Sequence, residues 1–197
     1  MQASKRLSRS FFARHTVDVA RDLLGTRLVR VEEGGRRVSG RIIETEAYRG
    51  EEDQGCHCRV GHTERTAVMY GPPGVAYVYF VYGMHWLLNF VTEEEGFPGA
   101  VLIRGLAPEE GLDRIRERRD GRPREQWADG PAKLCQALGI DGAFNGRDVC
   151  RPGSRLFLER GEAVPDHRVR TTPRVGLNAV PEPWKSIPWR FVVESRI

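Results

Sequence analysis

Lysine is scarce in this 197-residue chain: Lys5, Lys133 and Lys185 are its lysines, and every other basic side chain is an arginine. Chemistry that needs an amine nucleophile therefore has few candidates. No stretch is long and uncharged enough to span a bilayer. The opening Met1-Gln2-Ala3-Ser4-Lys5-Arg6 leads into arginine-rich polar sequence rather than an apolar run of signal-peptide length. These absences argue against a membrane role and predict a cytoplasmic location. The cysteines are Cys56, Cys58, Cys135 and Cys150, which without an export signal are expected to be reduced thiols rather than a disulfide framework. Repeats, low-complexity tracts and linkers are missing too, so a single domain over 1–197 is expected.

What remains is the composition of an ordinary folded globule, 40% hydrophobic and 29% charged, with a mean hydropathy of -0.48. Thirty-one Lys+Arg against 27 Asp+Glu leave a net charge of +4, which suits a polyanionic partner without requiring one. Thr16 is placed to cap a short helix with Val17, Ala20, Leu23 and Leu24 on one side, closed by Gly25. Two strands, 26–32 and 37–46, are expected around a tight Gly34-Gly35 turn. Segment 49–73 is polar and non-periodic, and long loops in compact domains usually carry function. Val75 to Val91, rich in Tyr, Val and Phe and broken at Tyr82-Gly83-Met84, predicts two strands meeting at an aromatic-tipped turn, with a buried helix as the competing reading. A strand over 100–106, a charged helix over 108–119, a helix over 131–138 stopping at Gly139, and strands over 155–159 and 189–194 complete an α+β fold.

Three groups of residues bear chemistry. Glu44 and Glu46, two apart on a strand, leave it on one face; either is a base or a structural, solvated carboxylate. Cys56-His57-Cys58 with His62 has zinc-binding residue types, but the spacing is poor and no second ligand pair stands near Cys135 or Cys150. Tyr77, Tyr79, Tyr82, Met84, His85 and Trp86 crowd one turn. Core packing explains Tyr77 and Trp86, whereas Tyr82 at a hairpin tip leaves an exposed wedge of the kind that enters a base stack.

In order along the chain, Arg41-Ile42-Ile43-Glu44-Thr45-Glu46-Ala47-Tyr48 with His57, Tyr77-Val78-Tyr79-Phe80-Val81-Tyr82-Gly83-Met84 with Asn89, Leu102-Ile103-Arg104, Gly130-Pro131-Ala132-Lys133-Leu134-Cys135-Gln136-Ala137-Leu138 and Arg174-Val175-Gly176 are similar to the alkyladenine (3-methyladenine) DNA glycosylase family. The resemblance runs from about Ser8 to Val193. Two features depart from the family's usual pattern: the Cys-His-Cys context of His57, and an end at Ile197 without a short aromatic tail.

The resemblance implies a single compact domain with a curved antiparallel sheet, flanking helices and a protruding hairpin. It implies a monofunctional enzyme of base excision repair that flips damaged purines and leaves an abasic site. Glu46 matches the general base, and Arg104 and the backbone carbonyl of Val175 match groups that orient the water with it. Tyr48 and His57 match the residues that sandwich the base, Tyr79 a further wall, and Asn89 a residue that would collide with the 2-amino group of guanine. Tyr82, with Met84 beside it, matches the side chain that fills the gap in the duplex. No metal or other cofactor is implied. The expected partner is double-stranded DNA bearing damaged purines, met by a monomer that is cytoplasmic and nucleoid-associated. An N-alkylated purine is already a cationic leaving group, so one carboxylate that delivers water suffices. A neutral lesion would need a donor at the purine, for which His57 or a nearby backbone amide is a candidate. Lys133 is the only lysine in a matched block, which disfavours Schiff-base chemistry. Two other readings stand beside this one: a module that stacks bases without reacting, and a metal-dependent hydrolase using Cys56, His57 and Cys58.

Overall fold

The computed structural model describes residues 6–194. Met1 to Lys5, part of the stretch read for an export signal, lie outside the described residues. Among these residues, eight strands form one antiparallel sheet: β1 (Arg27–Val31), β2 (Arg37–Arg49), β3 (Ala76–Val81), β4 (His85–Val91), β5 (Gly99–Glu110), β6 (Leu156–Glu159), β7 (Val169–Thr172) and β8 (Arg190–Val193). Four helices accompany them: α1 (Arg9–Phe12), α2 (Thr16–Asp22), α3 (Leu112–Arg118) and α4 (Pro131–Leu138). The strand order is β3-β4-β5-β2-β1-β6, with β8 paired to β2 and β7 to β8.

The long β2 organises the molecule. Its first half pairs with β1, its second half pairs with β8 at Glu44 to Glu46, and β5 follows its other edge from Ser39 to Arg49. Register shifts between Ile42 and Thr45 mark a bulge, which bends the strand and curls the sheet. On one side of β2 the buried Thr45 hydroxyl donates to the Ala20 carbonyl of α2 at 2.7 Å. Strand alternation therefore sends its neighbours Glu44 and Glu46 to the other side. The main core, with Phe12, Leu23, Leu28, Ile42, Phe90, Ile103 and Leu138, lies between the sheet and the helices.

Four expectations shift. The charged helix placed over 108–119 is strand as far as Glu110, because Glu109 bonds Arg27 and Arg41 and Glu110 bonds Ser39 and Arg37 across the sheet. Helix α3 begins only after Gly111, which takes a left-handed φ of 67°. Thr16 does not cap α2; its amide and hydroxyl both donate to Glu93 Oε1, at 2.7 and 2.9 Å, and His15 holds the cap position. The competing buried helix over 75–91 is replaced by the β3–β4 hairpin. The Gly34-Gly35 turn is wider than a two-residue connection, with a short 3₁₀ turn at Glu33–Gly35, although both glycines have positive φ.

Candidate functional site

The hairpin tip is built by its turn. Tyr82 and Gly83 both have positive φ, 52° and 67°, and the Met84 amide donates to the Val81 carbonyl at 3.2 Å. Glycine adopts that backbone freely, whereas a tyrosine there carries strain of the kind that accumulates at functional positions. Tyr82 is 89% exposed and Met84 68% exposed, so the tip holds large apolar side chains in solvent.

Beside the hairpin lies a cavity of 380 Å³, a size common for small-ligand sites. Tyr48, His57, Tyr79, Tyr82, Asn89, Arg104 and Val175 all line it. The sequence-predicted residues thus come from β2, the 49–73 loop, the hairpin, β5 and the segment after β7 to one place. Met84 stands apart, at the tip and outside the lining. Glu46 is the exception in kind: it has no exposed surface and is absent from the wall, lying one layer behind it.

The partners of Glu46 are wall residues. Val175 N–H donates to Oε1 at 2.7 Å, Tyr48 O–H donates to Oε2 at 2.8 Å, and Arg104 approaches at 3.4 Å. This bond uses the Val175 amide; the carbonyl, to which the resemblance assigns a part in orienting the water, is the other polar group of the same residue. A carboxylate has four lone-pair positions. The two short bonds use one on each oxygen and leave the others for the looser Arg104 contact or a water. Burial pushes the Glu46 carboxyl above the ordinary range, and it outweighs the lowering by Arg104, Val175 N–H and Tyr48 O–H. Arg104 also donates to Glu44 at 2.8 Å, and Glu44 holds Arg190 at 2.7 Å. The two glutamates do share a face, one as the buried acceptor and the other as an anchor for arginines. For Arg104 burial disfavours the charge, but Glu46 and Glu44 outweigh it and the guanidinium stays charged.

The aromatic walls are held by polar contacts. Burial, then the neighbouring Glu46, holds the Tyr48 hydroxyl well above its usual value, so it remains a donor. His57 Nδ1 lies 3.0 Å from the Tyr77 hydroxyl, and its ring meets that of Tyr79 edge-on at 4.5 Å. Burial and then Arg65 and Arg59 lower His57 to about 4, so the ring is neutral at pH 7. Arg65, which only donates, faces Nε2 at 3.5 Å. Asn89 is buried and its amide donates to the Tyr77 carbonyl at 3.1 Å, which aims the rest of the side chain at the cavity. Tyr77, expected to pack in the core, is buried but also lines the cavity.

The Cys-His-Cys cluster does not converge. Cys56 Sγ accepts from the Cys58 amide, Cys58 Sγ turns to the Gly50 carbonyl, and His62 packs on Tyr70. Among the described residues no group of three His, Cys, Asp or Glu side chains is arranged to hold a metal ion. Lys133 is tied to Asp129 at 2.9 Å on the surface, an acidic neighbour that the sequence alone did not reveal. Sequence reasoning also missed Asp53, Arg65 and the start of α4, whose Pro131 and Ala132 close one side of the cavity. No helix among the described residues is long and apolar enough to cross a membrane.

Comparison with known proteins adds the following. The family model described as Methylpurine-DNA glycosylase (MPG) matches residues 10–197. Three similar proteins each carry the name "Putative 3-methyladenine DNA glycosylase". The one from Chlorobaculum parvum is 43% identical over 192 residues, covering 97% of this chain and 89% of its own length. The one from Myxococcus xanthus is 48% identical over 189 residues, with 96% and 90% covered. The one from Methanocella arvoryzae is 48% identical over 186 residues, with 94% and 90% covered.

Proposed function

The chain belongs to the methylpurine-DNA glycosylase family, and from that premise we propose how its cavity acts on DNA. It is a DNA glycosylase of the 3-methyladenine type, a repair enzyme whose substrate is DNA. In the proposed mechanism a damaged purine swings out of the duplex into the cavity, and Tyr82 fills the space it leaves. The base stacks between Tyr48 and His57, with Tyr79 as the far wall. Glu46 takes a proton from a water held with Arg104 and the Val175 peptide, and that water attacks the sugar carbon as the cationic base departs. The observation that carries this reading is the buried, raised Glu46 carboxylate, whose hydrogen-bond partners are themselves walls of an aromatic cavity beside an exposed tyrosine. Aromatic stacking of about 1–3 kcal/mol per base offsets the few kcal/mol that extrusion costs.

A neutral lesion needs a proton or hydrogen bond at the purine to leave. Both ring nitrogens of His57 face protein partners, Tyr77 and Arg65, so we assign that donor role to a backbone amide of the loop rather than to the imidazole. Among the described residues no lysine lines the cavity, in keeping with a monofunctional enzyme. The test is base release from duplexes carrying 3-methyladenine, hypoxanthine and ethenoadenine, with and without hot alkali. Release of free 3-methyladenine with strand breaks only after alkali is expected; strand cleavage without alkali would overturn the monofunctional assignment.

Replacing Tyr82 with Ser is expected to weaken binding to lesion-bearing duplex by about tenfold while undamaged duplex loses much less, since only the flipped state leaves a gap. Equal losses on both duplexes would contradict the wedge role. Asn89→Ala removes bulk from the cavity wall and is expected to raise release of guanine and 7-methylguanine. Unchanged guanine release, measured on the same duplex, would remove Asn89 as gatekeeper.

A further inference from the structure

Behind the Tyr48 wall stands a buried ion pair that the reaction itself does not use. Arg174 Nη1 and Nη2 form two bonds with Asp53, at 2.6 and 2.8 Å, and both side chains are fully buried. The same nitrogens also donate to the Ala47 carbonyl at 3.0 Å and the Trp184 carbonyl at 3.2 Å. All four Nη hydrogens are thereby engaged. Asp53 is fixed in turn, accepting from the amides of Arg49 and Gly55. The guanidinium lies over the Tyr48 ring, 4.7 Å from its centroid, with Trp189 at 5.3 Å. Tyr48 lines the cavity and Arg174 does not, so the cation sits on the face of the ring away from the cavity.

That placement sets an electrostatic problem. A purine methylated at N3 is positively charged, and it is attracted to an aromatic face through the negative charge of the π cloud. An uncompensated guanidinium on the opposite face would draw that cloud away and repel the base through a thin, dry wall, where charges are weakly screened. Asp53 supplies the compensating charge in the plane of the guanidinium, with the bidentate geometry that holds it there. We propose that Asp53 is a specificity-determining positioning residue: by neutralising Arg174 behind Tyr48, it lets this wall accept a positively charged purine. The inference rests on the glycosylase reading of the cavity and deepens it.

The test separates charge from shape. Glu46→Gln protein, which should bind without releasing the base, is titrated with two duplexes. One carries 3-methyladenine on a 2′-fluoro sugar that slows its spontaneous loss, and the other carries 3-methyl-3-deazaadenine, its uncharged isostere. The readout is the ratio of the two Kd values. Adding Asp53→Asn should turn the ratio against the cation by about five- to tenfold, the scale of a cation–π contact. Adding Arg174→Gln, which leaves the Asp53 anion behind the ring, should move the ratio the other way. Each variant leaves the other partner buried and unpaired; a variant that melts cooperatively carries the test by the sign of its shift. A ratio that stays within about twofold in a variant that melts cooperatively, or that moves in the same direction for both, overturns the proposal. If the Glu46→Gln protein binds neither lesion duplex better than undamaged DNA, the glycosylase reading fails and this inference with it.

Discussion

Glu46→Gln is expected to leave binding to damaged duplex intact while base release falls by about two to four orders of magnitude, the usual worth of a positioned general base. The substitution is nearly isosteric. The amide oxygen can keep the 2.7 Å bond from Val175 N–H, and the amide nitrogen can donate to the Tyr48 hydroxyl where the carboxylate accepted at 2.8 Å. What is lost is the capacity to take a proton from water. Single-turnover release from 3-methyladenine duplex reads the loss, and unchanged release would end the assignment of Glu46. The same variant carries a stability signature. Burial raises the folded-state value of this carboxyl above its unfolded value, so the folded protein binds the proton more tightly than the unfolded chain. Ionisation of Glu46 therefore costs stability as pH rises through the folded value, and the cost disappears as pH falls below the unfolded one. Near neutral pH the Gln variant should therefore melt higher than the parent. The difference should vanish on acidification.

Arg104→Gln is the second large effect, and it acts through Glu46. Arg104 is the foremost of the groups that pull the Glu46 value down against burial. Removing the cation leaves Glu44 and Glu46 facing one another without it, although Glu44 keeps Arg190 at 2.7 Å. The Glu46 value must rise further, so the acid limb of the pH profile for base release should move to higher pH. Release near neutral pH should fall by about one to two orders of magnitude, from both the smaller ionised fraction and the mispositioned water. Raising the pH should recover part of the loss. A slow variant whose acid limb coincides with the parent's would show that Arg104 does not act on the carboxylate.

The parts of the molecule legible in the sequence were those set by local patterning. The hairpin was readable because Tyr, Val and Phe alternate up to a glycine that tolerates the turn, and the shared face of Glu44 and Glu46 followed from strand periodicity alone. Helix α4 was readable from Pro131 at its start and Gly139 past its end. What escaped depends on partners far along the chain. The continuation of β5 to Glu110 rests on bonds to arginines 68 to 82 residues away. The capping role expected of Thr16 was taken by Glu93, 77 residues on. Asp53 looked like any loop carboxylate, and its partner Arg174 lies 121 residues later. The depth of Glu46 behind Tyr48, Arg104 and Val175 was likewise invisible until β2, β5 and the post-β7 segment were brought together.

The most direct measurement is a crystal structure of the Glu46→Gln protein with a duplex carrying 3-methyladenine on a 2′-fluoro sugar. The account predicts the purine between Tyr48 and His57, Tyr82 in the vacated stack, and one water bridging residue 46 to the sugar carbon. A lesion still stacked in the helix, or a base lodged with its sugar turned away from residue 46, would contradict it.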